Sequence, residues 1–178
     1  AWALFSFSLR VGQLGVQSMS VKWLSLILCC MFVSGVQAGV DLVKVDKSKR
    51  RMYLMENGEV VKEFRIALGS NPKGHKQEEG DNRTPEGDYT LNYVINNSAF
   101  YRSVHISYPD AIDRLEAQRR GVSPGGAIKI HGLKNGETQA PQFIQSFDWT
   151  NGCIAITNQE MDEFIRLVQM GTPISIEW

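Results

Sequence analysis

The sequence predicts a mainly β fold, a single domain built as a sandwich or barrel with two or three short helices. Three observations predict it. A chain of 178 residues can bury one substantial core but is short for two. Seven or eight short segments alternate apolar and polar positions, the period of half-buried strands. Only two stretches carry clear helix signals at both ends.

The elements follow in chain order. Val40–Asp46 (VDLVKVD) and Arg50–Glu56 (RRMYLME) alternate, and Asn57-Gly58 is a two-residue hairpin turn into a third strand, EVVKEFRIALG, ending at Gly69. Ser70 to Thr84 is polar and rich in Gly, Asn and charge, so it reads as a long surface loop. Strand character resumes in PEGDYTLNYVIN and again in RSVHISY. Pro109-Asp110 starts a helix that Gly121 closes. GAIKIHG, ending at Gly132, is a compact strand, and after a stretch containing PQFIQSF the segment GCIAIT reads as a buried one. Thr157 and Glu160 form a capping box for a helix with Met161, Phe164, Ile165 and Val168 on one face. Gly171 ends it, and TPISIEW is a last strand.

The first 38 residues hold Arg10 and Lys22 but no acidic residue. Lys22 precedes an apolar run, and Val36-Gln37-Ala38 supplies the small residues that a signal peptidase accepts, so residues 19–38 are expected to be a signal peptide. Met19 stands where such a signal begins, which leaves residues 1–18 as upstream translation outside the fold and residues 39–178 as the folded domain. The chain is thus expected to be exported, most simply to a periplasm, with no membrane association beyond the signal. The exported part carries 17 Lys plus Arg against 19 Asp plus Glu, a net charge of −2, with no basic tract for nucleic acid. His75, His105 and His131 show no ligand spacing, so neither metal nor cofactor is expected.

Cysteines narrow the chemistry. Cys29 and Cys30 leave with the signal, and Cys153 remains without a partner sulfur. A lone thiol in an exported protein is buried and inert, intermolecular, or reactive. Reactivity needs an imidazole or positive potential nearby, because the thiolate is the nucleophile. His131 ends one predicted strand and Cys153 begins another, which places both at strand ends where loops make clefts. Gly152 permits a sharp turn, and the N–H groups of Gly152 and Cys153 are candidates for an oxyanion site. His105, with Ser107 and Tyr108, is expected to line the cleft. Trp149 and Asp148 stand as candidates for its wall or for ordinary packing. Arg83 and Arg102 are candidates for a substrate carboxylate, and His75 is expected to be solvated.

IHG (Ile130 to Gly132), TNGCIAITN (Thr150 to Asn158) and ALGSNPKGHKQEEGDNRTPEGDY (Ala67 to Tyr89) together resemble the ordered signature of YkuD-type L,D-transpeptidases over most of residues 41–178. That resemblance implies a β-rich catalytic domain acting on peptidoglycan. In such enzymes a cysteine attacks the carbonyl on the L-centre of a diamino acid, commonly meso-diaminopimelate, in a stem tetrapeptide and expels D-alanine. An amine then resolves the acyl-enzyme into a cross-link or an attached protein, or water hydrolyses it. Carried over by position, Cys153 is the nucleophile, His131 its base, the Gly132 carbonyl the group that orients the imidazole, and Gly152 part of the oxyanion site. Asn151 stands where the family usually has histidine, and Ala155 where arginine or asparagine is common. With Asp148-Trp149-Thr150, these departures resemble the divergent YafK-like branch. Transfer onto an amine and amidase action on diaminopimelate links or a wall-anchored lipoprotein therefore both remain open. So does a non-catalytic peptidoglycan-binding module.

Overall fold

A computed structural model describes residues 39–178, so the expectations for residues 1–18 and 19–38 lie outside the described residues. The alternating N-terminal segments become β1 (Leu42–Asp46), β2 (Arg51–Glu56) and β3 (Glu59–Arg65), an antiparallel meander. Asn57 and Gly58 take φ of 52° and 83°, the left-handed pair that a tight hairpin turn requires.

β4 (Gly87–Ser98) is the longest strand and serves two partners. Gly87–Thr90 pair with β8 (Pro173–Glu177), and Leu91–Ser98 pair with β5 (Tyr101–Ile106). β6 (Lys129–His131) runs antiparallel to β5, and β7 (Ile154–Ala155) lies parallel to β6. The order of the eight strands among the described residues is β3-β2-β1-β8-β4-β5-β6-β7. Its two ends meet. Ala67, just past β3, exchanges both backbone hydrogen bonds with Ala155 of β7, at 2.9 and 2.8 Å, and Gly69 bridges Thr150. The sheet therefore closes in the manner of a barrel.

Three helices complete the described residues. α1 (Ala111–Arg120) starts in a capping box of Asp110 and Asp113 and ends on Gly121 at φ 70°. α2 (Pro141–Ile144) is a single turn opened by its proline. α3 (Asn158–Leu167) starts in the predicted box of Thr157 and Glu160. Met161, Phe164 and Val168 are buried with Val43, Leu54, Ile130 and Ile174, while Ile165 is half-buried at the edge of that core.

Three predicted strands are shorter than expected, β6 keeping only Lys129–His131 of the segment that ends at Gly132. β3 stops at Arg65 rather than Gly69 because residues 66–69 leave β2 to make the closing bridges. β7 has two residues because Thr157 is already committed to capping α3.

The polar loop from Ser70 to Thr84 is tied down by a buried cation. Lys47 is 0% exposed, and its ammonium donates to the Gly74 carbonyl (2.9 Å), the Thr84 carbonyl (2.8 Å) and Glu86 Oε1 (2.9 Å). All three donors of the ammonium are satisfied, so its burial is tolerated. Lys76, also buried, donates to the Glu78 carbonyl and to Asp81 inside the loop.

Candidate active site

Strand pairing brings the thiol and the imidazole to one face. β6 and β7 are in register at Ile130 with Ile154 and His131 with Ala155, so one step back stand Lys129 and Cys153. In a strand, residues two apart share a face, and Lys129, His131 and Cys153 all line one cleft of about 590 Å³. The β4–β5 hairpin supplies one wall through Ile95 and Asn97 to Phe100, and Trp149 to Asn151 supply another.

His131 is 4% exposed and packs against two aromatic rings that also touch each other, Phe100 at 4.6 Å and Trp149 at 5.7 Å between centroids. Its Nδ1 is 2.7 Å from the Gly132 carbonyl. A carbonyl only accepts, so Nδ1 carries the proton and Nε2 the lone pair. Burial lowers the imidazole pKa, the Gly132 carbonyl opposes that shift, and the Lys129 charge adds to it. Burial raises the pKa of the Cys153 thiol, and Lys129 opposes the rise. Both directions favour an uncharged thiol and an uncharged imidazole at neutral pH. Sγ is 3.7 Å from the Ala127 carbonyl, to which the thiol donates. For the imidazole to receive this proton, the S–H would have to turn from that carbonyl toward His131.

The turn carrying the thiol is built from close backbone contacts. Gly152 has φ 123°, and a Cβ there would sit 2.7 Å from the Arg83 carbonyl oxygen. Thr150 Oγ1 donates to the Cys153 carbonyl (2.7 Å) and accepts from the Gly152 N–H (3.1 Å). That second bond corrects the assignment of Gly152 to the oxyanion site, because its N–H is already spent. Among the described residues neither the Asn151 N–H nor the Cys153 N–H has such a partner, and the second belongs to the residue that carries the thiol.

Other expected site residues fall elsewhere. His105 faces Lys129 across the β5–β6 pair, but its ring is stacked on Tyr93 at 4.8 Å and does not line the cleft. Ser107 accepts from the Thr90 N–H, and Tyr108 is buried with its hydroxyl donating to the Pro124 carbonyl. Both are structural. Asp148 holds Arg50 through Nε and Nη2 and accepts from the Leu68 N–H, so it braces the segment beneath Trp149. Arg102 is engaged by Asn96 and Asp162, and Arg83 lies in a separate depression with Asn71 and Asp81. His75 is not freely solvated. It accepts from the Glu86 N–H at Nδ1 and faces Asp113 at 3.2 Å through Nε2.

The family is decided by the extent of the match. Residues 41–176 match YkuD, the L,D-transpeptidase catalytic domain. The chain belongs to this family. It is 28% identical over 133 residues to the Escherichia coli K12 protein named "Putative L,D-transpeptidase YafK", covering 71% of this chain and 46% of that one. The helical cell shape determining protein Pgp2 from Campylobacter jejuni superposes with a TM-score of 0.60 at 27% identity, covering 79% of this chain and 48% of Pgp2. An L,D-transpeptidase from Mycobacterium smegmatis shares the fold, with a TM-score of 0.51 at 16% identity over 79% of this chain and 59% of that one. The chain thus spans about half the length of the YafK and Pgp2 chains it matches.

Several residues of this YkuD cleft escaped the sequence reading. Lys129 was within reach, because it stands two residues before His131 on an alternating strand. Lys134, Phe100 and Thr150 were not, since their places depend on the hairpin tip and on the turn at Gly152. For Gly152→Ala we expect a loss of about 1–3 kcal/mol from strain at positive φ, with added cost from the Arg83 contact. Urea denaturation checks it, and an unchanged midpoint would contradict the close-packing account.

Proposed function

We propose that this protein is an exported cysteine L,D-transpeptidase acting on peptidoglycan stem peptides through a thioester on Cys153. The observation that carries the reading is the placement of His131, at the end of β6, and Cys153, just before the neighbouring β7, in one cleft whose cations lack partners. Lys129 and Lys134 line that cleft, and neither is ion-paired or hydrogen-bonded through its ammonium among the described residues. Stem tetrapeptides are rich in carboxylates, which such a cleft favours.

In this mechanism His131 Nε2 takes the thiol proton as Sγ attacks the carbonyl on the L-centre of the diamino acid. The Cys153 N–H stabilises the oxyanion. Collapse breaks the C–N bond to the terminal D-alanine, and the imidazolium returns its proton to that leaving amine. The thioester remains until an amine attacks it, releasing the thiol and forming the new amide. Water in the same place gives a free carboxylate. The second, amidase outcome on diaminopimelate-linked peptides or a wall-anchored lipoprotein is supported by Asn151, which is exposed at the lip of the cleft and stands where the family resemblance leads one to expect a histidine. Export rests on the sequence pattern of residues 19–38.

Incubation with tetrapeptide muropeptides is expected to add the mass of the muropeptide less D-alanine to Cys153, with release of that D-alanine, read by intact mass spectrometry. Cys153→Ala is expected to show neither. Product masses separate a new cross-link from a free tripeptide. Absence of both adduct and product with every muropeptide would overturn the reading.

A further inference from the structure

We propose that Asn158 is a positioning residue that fixes which nitrogen of His131 carries the proton, acting through a single peptide group. The inference deepens the proposed reaction and rests on His131 serving as its base. The Gly132 carbonyl that receives His131 Nδ1–H belongs to the peptide joining Gly132 to Leu133. The N–H of that same peptide donates to Asn158 Oδ1 at 2.8 Å. A peptide group is planar, so holding its N–H fixes where its carbonyl points. The 2.7 Å contact to Nδ1 and the 2.8 Å contact to Asn158 are therefore two ends of one rigid plate.

The surroundings fit that role. A Cβ on Gly132 would lie 2.6 Å from Asn158 Oδ1 and 2.9 Å from Tyr101 Cβ, so only glycine lets the amide approach this closely. The preceding peptide is also held, by the Gly132 N–H donating to the Arg102 carbonyl at 3.1 Å. Asn158 is the first residue of α3, immediately after the Thr157 cap, so a ten-residue helix anchors the acceptor. Leu133 is buried, and without Asn158 its N–H would have no partner there. With the plate free to turn, the Nε2–H tautomer becomes accessible. In that tautomer the nitrogen that must take the thiol proton is blocked.

Long-range proton–nitrogen NMR of the three histidines in the full chain reads the tautomer directly. The unaltered protein is expected to show His131 protonated at Nδ1. Asn158→Ala is expected to show a substantial Nε2–H population and acylation slowed roughly tenfold or more, as for other outer partners of a working histidine. Asn158→Asp keeps an acceptor oxygen and is expected to restore the Nδ1–H form. An unaltered protein with Nε2–H, or an Asn158→Ala protein with an unchanged tautomer, overturns the proposal. Amide exchange at Leu133 in the unaltered protein decides the matter even if Asn158→Ala fails to fold. Slow exchange is required, and exchange at the rate of an open loop overturns it. A protein that shows these tautomers but forms no acyl-enzyme would instead count against the proposed function alone.

Discussion

His131→Ala is expected to slow acylation of Cys153 by about 10²–10⁴-fold, the range for losing a positioned base. The residual rate should rise tenfold per pH unit. The sign follows from the two shifts: burial raises the thiol pKa and lowers that of the imidazole, so the pair starts uncharged at neutral pH. Without the base only the thiolate fraction reacts, and below the thiol pKa that fraction grows tenfold per unit. In the unaltered protein, a depressed histidine pKa keeps the imidazole neutral and competent to below its ordinary value of about 6.5. The acid limb of acylation should therefore lie under that value. Rates of adduct formation between pH 5 and about 9 check both profiles. A flat profile for His131→Ala would mean that a preformed thiolate, not a base-assisted thiol, is the nucleophile.

Lys47→Ala is expected to cost about 3 kcal/mol, the low end for removing one member of a buried charged network. Glu86 reaches solvent and can rehydrate, but the Thr84 carbonyl is buried where Lys47 held it. Lys47→Met, which keeps most of the packed stem, should cost less. The effect reaches the site because the loop that Lys47 secures presents the Arg83 carbonyl to Gly152, one residue from the thiol. Acylation at temperatures well below unfolding should therefore slow as well. Equilibrium denaturation and adduct rates measured on the same samples test the link. A stability change within experimental error of zero would show that the ammonium is replaceable by water.

Much of the fold was legible because its signals are local. The Asn57-Gly58 turn and the box of Thr157 with Glu160 each act within four residues, and both appear where the sequence places them. The end of β3 was not legible, since it is set by the bridge that Ala67 makes to Ala155, far along the chain. The same holds within the site. Alternation alone put His131 and Cys153 at strand ends, whereas the removal of His105 from the cleft depends on a stacking partner, Tyr93, in another strand. Lys47 shows the limit most plainly. Its alternating surroundings read as an ordinary strand end, and its burial comes from carbonyls 27 and 37 residues downstream. Gly152 was singled out for an N–H that it does not offer, because sequence does not reveal that Thr150 claims it.

The closing bridges between Ala67 and Ala155 also bear on errors that the chain must avoid. Two residues of β7 paired on one side only would slide easily along β6. A slip of one position would turn Cys153 to the opposite face and bring Gly152 or Ile154 to the cleft. Pairing on both sides, to Ile130 and His131 of β6 and to Ala67, makes such a slip break hydrogen bonds at two seams at once. The ring thus acts as a proofreader of alignment, letting a very short strand present one atom reliably.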